Sequence, residues 1–255
     1  MGPGTIIQMG YKEFSAKRRM LLPLLLLVIG VSVIEGILFD LIGIDASVGS
    51  SILLLILTIH IYRKLLGLEI KGAPYFPYFG NYLLASLMCL LLALPLFLVP
   101  GILAVSAFGF GFSFVANVMV LAFAAIIVIP LLVLSPYFFT RLYYCLPGVA
   151  IGRKPYGFRE GWRDSAGVAI PLTFAFLIVA LVFVLIAGIS FAILYFVMDA
   201  VTAATGPAGA IVSMVANNLL AGTVFNFSSI FLTVMQGAVY REHTYRVSSE
   251  AVEVF

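Results

Sequence analysis

Long apolar segments separated by short polar ones make up most of this chain. Six of them are apolar over about 20 residues, enough to cross the roughly 30 Å hydrocarbon core of a bilayer as helices. A helix is required there because lipid offers no partner for an unpaired backbone N–H or C=O group. The pattern predicts six transmembrane helices, near residues 20–44, 47–66, 82–105, 113–140, 168–198 and 207–240.

The composition supports this interpretation. Of the 255 residues, 63% are hydrophobic and 10% are charged, whereas soluble domains have about 25% charged residues. We therefore expect an all-α, polytopic membrane protein in which residues 1–255 form a single integral membrane domain. The least defined boundary is the turn between the third and fourth helices, because no charged residue occurs between Lys71 and Arg141.

The basic residues predict the orientation, since Lys and Arg concentrate in cytoplasmic loops. With six spans and a cytoplasmic N-terminus, all 14 Lys and Arg residues fall on the cytoplasmic side. The three outer connections, near residues 45–49, 105–112 and 199–206, contain none. We expect both termini in the cytoplasm and a multi-pass protein of the bacterial inner membrane.

The two longest inner loops resemble each other. At an offset of 81 residues, segment 62–85 matches segment 143–166 at 8 of 24 positions, among them Gly67 with Gly148 and Gly80 with Gly161. This match indicates a parallel repeat, in which the second and third spans correspond to the fourth and fifth, as occurs in some transporters. The alternative is that Gly, Pro and Tyr are common at helix ends and membrane interfaces.

Residues 158–166, before the fifth span, predict a short amphipathic helix at the inner interface. Phe158 and Trp162 share one face and charged residues the other, and Glu160 and Arg163 have the spacing of a helical ion pair. Basic clusters at such a surface attract anionic lipid, so this region is a candidate site for a lipid headgroup or a protein partner. Alternatively, its charges only fix topology. The candidate residues are Arg141, Arg153, Lys154, Arg159, Trp162 and Arg163.

Two polar residues inside predicted spans are further candidates, Glu35 in the first and Asn226 in the sixth. Ionisable residues within a membrane usually face a cavity or a neighbouring helix. Glu35 is therefore a candidate proton or cation site, or else a neutral acid that ties helices together. Asn226 offers an interhelical hydrogen bond worth about 0.6 kcal/mol.

The stretch RLYYCLPGVAIGRKPYGFREGWRDSAG (141–167) resembles the six-span membrane domain associated with some glycerophosphodiester phosphodiesterases, and related inner-membrane proteins. The resemblance implies a six-helix membrane protein. It does not imply lipid hydrolysis, because no polar segment of this chain exceeds about 30 residues and the metal-binding phosphodiesterase barrel is not among them. The residues that carry the resemblance are Arg141, Leu146, Pro147, Glu160, Gly161, Trp162 and Ser165.

The functional expectation is a non-enzymatic membrane protein that binds lipid or a protein partner through its basic cytoplasmic loops. The alternative is a small transporter or channel with Glu35 in the pathway. No catalytic constellation, cofactor motif or metal site is evident, and Cys89 and Cys145 are expected to be buried packing residues. Membrane lipids are the expected partners, with a protein partner or a second copy of the chain as further candidates, and nucleic acid is not expected.

Overall fold

The computed structural model describes residues 1–43, 48–67, 79–92, 134–152 and 157–245, and every regular element in these ranges is helical. We number the α-helices in chain order, and a π-helical turn, Arg241–Tyr245, follows the last of them. The helices are α1 (Pro3–Ala16), α2 (Arg18–Ile42), α3 (Val48–Leu65), α4 (Phe79–Leu92), α5 (134–143), α6 (Leu146–Ala150), α7 (Phe158–Asp164), α8 (Ala169–Thr205) and α9 (Pro207–Tyr240).

Three of these helices are long and apolar enough to cross a membrane: α2, α8 and the helical segment Pro207–Thr244 that includes α9. In the most apolar 18-residue stretch of α8, only 6% of the residues are buried within the protein. An apolar surface of this extent is stable against lipid but not against water, because the exposed side chains have no other apolar environment. The chain is therefore a membrane protein, helical throughout the regular elements of its described residues.

The predicted spans agree with the described helices in part. α2, α3 and α9 match the predictions at 20–44, 47–66 and 207–240, whereas α4 and α5 describe only parts of 82–105 and 113–140. The predicted turn between those two spans lies outside the described residues. The count of six spans and the orientation stay predictions.

The helix α8 extends beyond the end of the predicted fifth span. The predicted span ends at residue 198, but α8 continues to Thr205. The segment from Asp199 to Thr205 contains no Gly or Pro, so nothing in its backbone stops the helix. The reversal occurs at Gly206, which has a positive φ of 61°, and α9 begins at once with Pro207 at its first position. Gly–Pro is a favoured end-and-start pair for helices.

The helix α1 was not predicted. Its 14 residues include Lys and Glu and are too short to span a bilayer, so a search for long apolar segments passes over it. Ile6 and Gly10 lie four residues apart on one face and are buried, which is the spacing of an amphipathic helix. Pro3 occupies the first turn, where a missing N–H is tolerated.

The chain divides into two compact units, the first made of Met1–Ala73 and Phe174–Phe255, and the second of Pro74–Thr173. The expectation of a single membrane domain stays a prediction. In the first unit, α9 packs against α1, α2 and α3. Because lipid tails are as apolar as leucine, such seams are stabilised by close packing and interhelical hydrogen bonds rather than by exclusion of water. The core side chains are Leu21, Leu25, Val28, Ile29, Leu57, Ile61, Leu65, Ile230 and Val234.

The backbone differs between the two segments matched as a repeat. Gly67 has a positive φ of 74° in a turn, whereas its counterpart Gly148 lies within α6. Gly80 has open space around it, whereas a Cβ on Gly161 would meet Cys145 at 2.6 Å. The two segments are therefore similar in sequence, but the matched glycines differ in backbone conformation or in surroundings.

Candidate functional site

Arg141 is the centre of a polar and aromatic cluster in the second unit. Its guanidinium carbon lies 4.0 Å from the centre of the Trp162 ring. Nε donates a hydrogen bond to Ser165 Oγ at 3.2 Å, Nη1 donates to Tyr137 Oη at 3.0 Å, and Nη2 donates to the carbonyl oxygen of Trp162. The arginine thus joins the end of α5 to α7. The ring of Phe138 also stacks on Trp162, with the two ring centres 5.8 Å apart.

The sequence of α7 explains how the helix forms and docks. The carboxylate of Glu160 accepts a hydrogen bond from the backbone N–H of Gly157 at 3.0 Å, which satisfies a donor at the helix start. Gly161 is buried, and any Cβ there would lie within 3 Å of the Cβ, Cα and N atoms of Cys145. Only glycine permits this approach. Of the residues that carry the family resemblance, Arg141, Trp162 and Ser165 therefore meet in one cluster, and Gly161 permits the close packing beside it.

The six candidate headgroup residues fall into three groups. Arg141 and Trp162 are partners in the cluster just described, so both are engaged within the protein. Arg159 and Arg163 are exposed on α7. Arg153 and Lys154 lie outside the described residues.

The ion pair expected between Glu160 and Arg163 does not form. Arg163 instead contacts the carboxylate of Asp164 at 3.3 Å, with 78% of the arginine side chain exposed. Because Glu160 caps its own helix, its carboxylate is directed to the start of α7. A solvent-exposed pair such as Arg163 with Asp164 contributes little to stability, so Arg163 is available to a ligand.

Glu35 caps a neighbouring helix. Its Oε1 accepts a hydrogen bond from the backbone N–H of Ser50, in the first turn of α3, at 2.8 Å. A Cβ on Gly49 would lie 2.5 Å from the same oxygen, so glycine makes room for the carboxylate. Negative charge and acceptor oxygens are stabilising at a helix N-terminus. Glu35 thus links α2 to α3, and its role as a proton or cation site or as a neutral acid stays a prediction.

Asn226 belongs to a polar seam between α2 and α9. It is 2% exposed, and its side-chain amide donates to Ser32 Oγ at 3.0 Å. Two turns earlier on α9, Asn218 donates to Asp40 of α2 at 2.8 Å. Asn226 was predicted to make an interhelical hydrogen bond, and the structure has one.

A second group of contacts, absent from the sequence prediction, links α1 and the π-helical turn after α9 to the end of α3 in the first unit. Lys17 Nζ donates to the carbonyl oxygen of Lys64 at 3.1 Å, and Arg241 Nη1 donates to that of Leu65 at 3.3 Å. These carbonyls lie at the C-terminus of α3, where cations are favoured. Arg241 also pairs with Glu13 of α1 at 2.7 Å. Nothing in the spacing of these residues along the chain identifies them as partners.

An apolar groove of about 360 Å³ runs between α1, α8 and α9 in the first unit. Tyr11, which is 66% exposed, lies at its surface. Phe14 packs against Phe227 with ring centres 5.2 Å apart. The lining residues are Ile7, Tyr11, Phe14, Ile178, Val179, Val182, Phe183, Phe227 and Phe231.

Two cysteines that are 56 positions apart in sequence lie together in the second unit. The thiols of Cys89, on α4, and Cys145 both reach the carbonyl oxygen of Leu142, at 3.4 and 3.1 Å. Both are buried and free. Their burial was predicted but their proximity was not.

Among the described residues, no group of three or more His, Cys, Asp or Glu side chains is placed to hold a metal ion. Comparisons with protein-family models, with curated proteins and with solved structures find no match to this chain. The resemblance to the phosphodiesterase-associated membrane domain therefore stays an expectation from sequence.

Proposed function

We propose that this chain is a non-enzymatic protein of the bacterial inner membrane that binds anionic lipid at its cytoplasmic face. The observation that carries the proposal is the apolar groove between α1, α8 and α9. Its outer wall is formed by side chains of α8 that stay exposed, with Ile178 at 45% and Val182 at 47%. Since the exposed surface of α8 faces hydrocarbon, the groove opens to the bilayer.

An acyl chain is the occupant that fits these surroundings. The groove is lined by aliphatic and aromatic side chains, and the only polar group among them is the hydroxyl of Tyr11. Lipid is the apolar molecule that a bilayer supplies at this surface. Filling the groove adds dispersion contacts to nine side chains that otherwise face a gap.

Anionic headgroups are favoured by the basic residues near α1. Lys12, Arg18 and Arg19 are exposed, and they lie within a few positions of the groove residues Tyr11 and Phe14. Each cation near a membrane surface contributes about 1 kcal/mol to the attraction of anionic lipid. The positive-inside rule puts these residues on the cytoplasmic side, where anionic headgroups attract them.

Arg159 and Arg163 form a second basic surface, on α7. They are four residues apart, which places them on the same side of the helix, and both are exposed. We assign them the same preference for anionic headgroups. Arg141 is excluded from this surface because its guanidinium is engaged by Trp162, Ser165 and Tyr137.

The acyl groove is tested by filling it. Val182→Trp places a large side chain in the groove, and Val184→Trp, at a neighbouring position that is 66% exposed and outside the groove, is the matched control. Native mass spectrometry of the protein released from nanodiscs should show lipid bound to the wild type and to Val184→Trp. Bound lipid should fall severalfold for Val182→Trp. Equal occupancy in the two variants would contradict the proposal.

The headgroup preference is tested by neutralising charge without reversing it, so that topology is preserved. Arg18→Gln with Arg19→Gln should lower the preference for phosphatidylglycerol over phosphatidylcholine, by up to about 30-fold for two cations at about 1 kcal/mol each. Arg159→Gln with Arg163→Gln tests the second surface in the same way. Unchanged preference in both double variants would leave the basic residues with a topological role alone.

A further inference from the structure

We propose that Cys89 and Cys145 are a redox modification site, at which the two thiols convert reversibly to an intramolecular disulfide. The proposal is independent of lipid binding. It starts from the shared hydrogen-bond acceptor, since both thiols reach the carbonyl oxygen of Leu142, at 3.4 and 3.1 Å. The two thiols, 56 positions apart in sequence, thus lie on either side of one carbonyl oxygen.

The surroundings hold this pair in place. Cys89 is 0% exposed and Cys145 is 1% exposed. On one side, α7 approaches so closely that a Cβ on Gly161 would lie 2.6 Å from the Cβ of Cys145. This contact fixes the backbone of Cys145, and the shared carbonyl of Leu142 keeps both thiols close to it. A preformed contact of this kind raises the effective concentration of one thiol at the other.

The reaction balances with a two-electron, two-proton acceptor. Each S–H bond breaks, one S–S bond forms, and the thiols together lose two protons and two electrons. We assign the acceptor to the class of lipid-soluble quinones, which become quinols, because the thiols are buried in a membrane protein. Reduction by a dithiol, through thiol–disulfide exchange, restores the pair.

The disulfide would join α4 to the segment between α5 and α6. That segment follows Arg141 by four residues and supports α7 through Gly161. Oxidation would therefore restrict the movement of the segment that connects Arg141 to α6 and contacts α7. The bond closes a long loop of the chain, so it restricts the unfolded state and should stabilise the folded one.

The experiment uses the full-length protein in mild detergent, first reduced and then treated with diamide, a small oxidant that accepts two hydrogens. After denaturation, free thiols are alkylated and the intact mass is measured. We expect the loss of two hydrogen atoms, no alkylation, and a higher melting temperature than for the reduced protein. The chain unfolded in SDS and treated in the same way should give less of this intramolecular disulfide and more cross-linked chains, because folding holds the two thiols together.

Two variants control for other sites and for folding. Cys89→Ser and Cys145→Ser each retain one thiol, and each should accept one alkyl group with or without diamide. The inference is overturned if the oxidised wild type still accepts two alkyl groups, or if two chains become cross-linked instead. A disulfide that forms only with a drop in melting temperature would overturn it equally, because such a bond would not fit the native packing.

Discussion

Replacing Arg141 by lysine should destabilise the second unit, although the charge is conserved. The guanidinium stacks on Trp162 and donates three hydrogen bonds, to Ser165, Tyr137 and the Trp162 carbonyl. An ammonium group can keep one of these bonds. It lacks the planar guanidinium that stacks on an aromatic ring and donates several hydrogen bonds in fixed directions.

The cost follows from these contacts. A partly desolvated cation–π contact is worth about 1 kcal/mol, and each hydrogen bond to a charged group about 1.5 kcal/mol. Loss of the stacking and of two hydrogen bonds gives about 4 kcal/mol, and solvent reaching the half-buried arginine reduces this. We expect Arg141→Lys to lower the free energy of unfolding by about 2 to 3 kcal/mol.

Trp162 provides the measurement, because it is the single tryptophan of the chain. Unfolding in SDS is followed by its fluorescence, and acrylamide quenching reports how exposed the ring is in the folded protein. The variant should unfold at a lower SDS fraction and its indole should be quenched more readily. Arg159→Lys is the matched control, since Arg159 is exposed on the same helix, and it should change the unfolding free energy by less than about 0.5 kcal/mol. A variant at Arg141 that behaves like this control would refute the assignment of the cluster as a structural link.

Three further substitutions test the remaining contacts. Glu35→Ala should cost about 1 kcal/mol in SDS unfolding, because the start of α3 loses its cap, whereas Glu35→Gln keeps an acceptor oxygen and should cost less than half of that; loss of solute flux from proteoliposomes in the Gln variant would favour the transporter alternative instead. Asn226→Ala should cost about 1 kcal/mol, since a buried interhelical bond is lost, whereas Asn217→Ala, at an exposed position of α9, should be silent; equal losses would contradict a specific role for the seam. Gly10→Ala should weaken the docking of α1 by about 1 to 3 kcal/mol, because a Cβ there would lie 2.9 Å from Met235, whereas Gly4→Ala, which meets nothing within 4 Å, should stabilise the helix; limited proteolysis of the N-terminus distinguishes the two, and equal protection would argue against close packing at Gly10.

Periodic and compositional signals predicted most of what the structure describes of the long helices. The α8–α9 boundary shows both the strength and the weakness of such signals. The predicted sixth span begins at residue 207, where α9 begins, whereas the predicted fifth span ends at residue 198 and α8 continues for seven more residues. The segment 199–205 contains neither Gly nor Pro, so its backbone has no residue that stops a helix before Gly206.

Predictions about the candidate residues were limited by partners that the sequence does not identify. Glu35 lacked an oppositely charged partner in the outer connections, and its partner is the backbone N–H of Ser50, which no composition reveals. Arg141 was interpreted as a ligand-binding cation. Its spacing of four from Tyr137 on one helix face was the available sign of an internal partner. The meeting of Cys89 with Cys145 depends on the packing of distant segments, for which the sequence carries no local signal.

The length of α8 limits how the protein can sit in a bilayer. Its 37 residues extend about 56 Å, whereas a helix tilted by 40°, the upper end of the usual range, needs only about 39 Å to cross a 30 Å core. At least about 17 Å, or about 11 residues, must therefore project beyond the hydrocarbon. Tyr195 and Phe196, which are 69% and 74% exposed, precede the last nine residues of the helix and have the aromatic character of an interfacial belt. If these residues lie at the C-terminal end of α8, the turn at Gly206 lies outside the hydrocarbon core, at the level of the lipid headgroups or beyond.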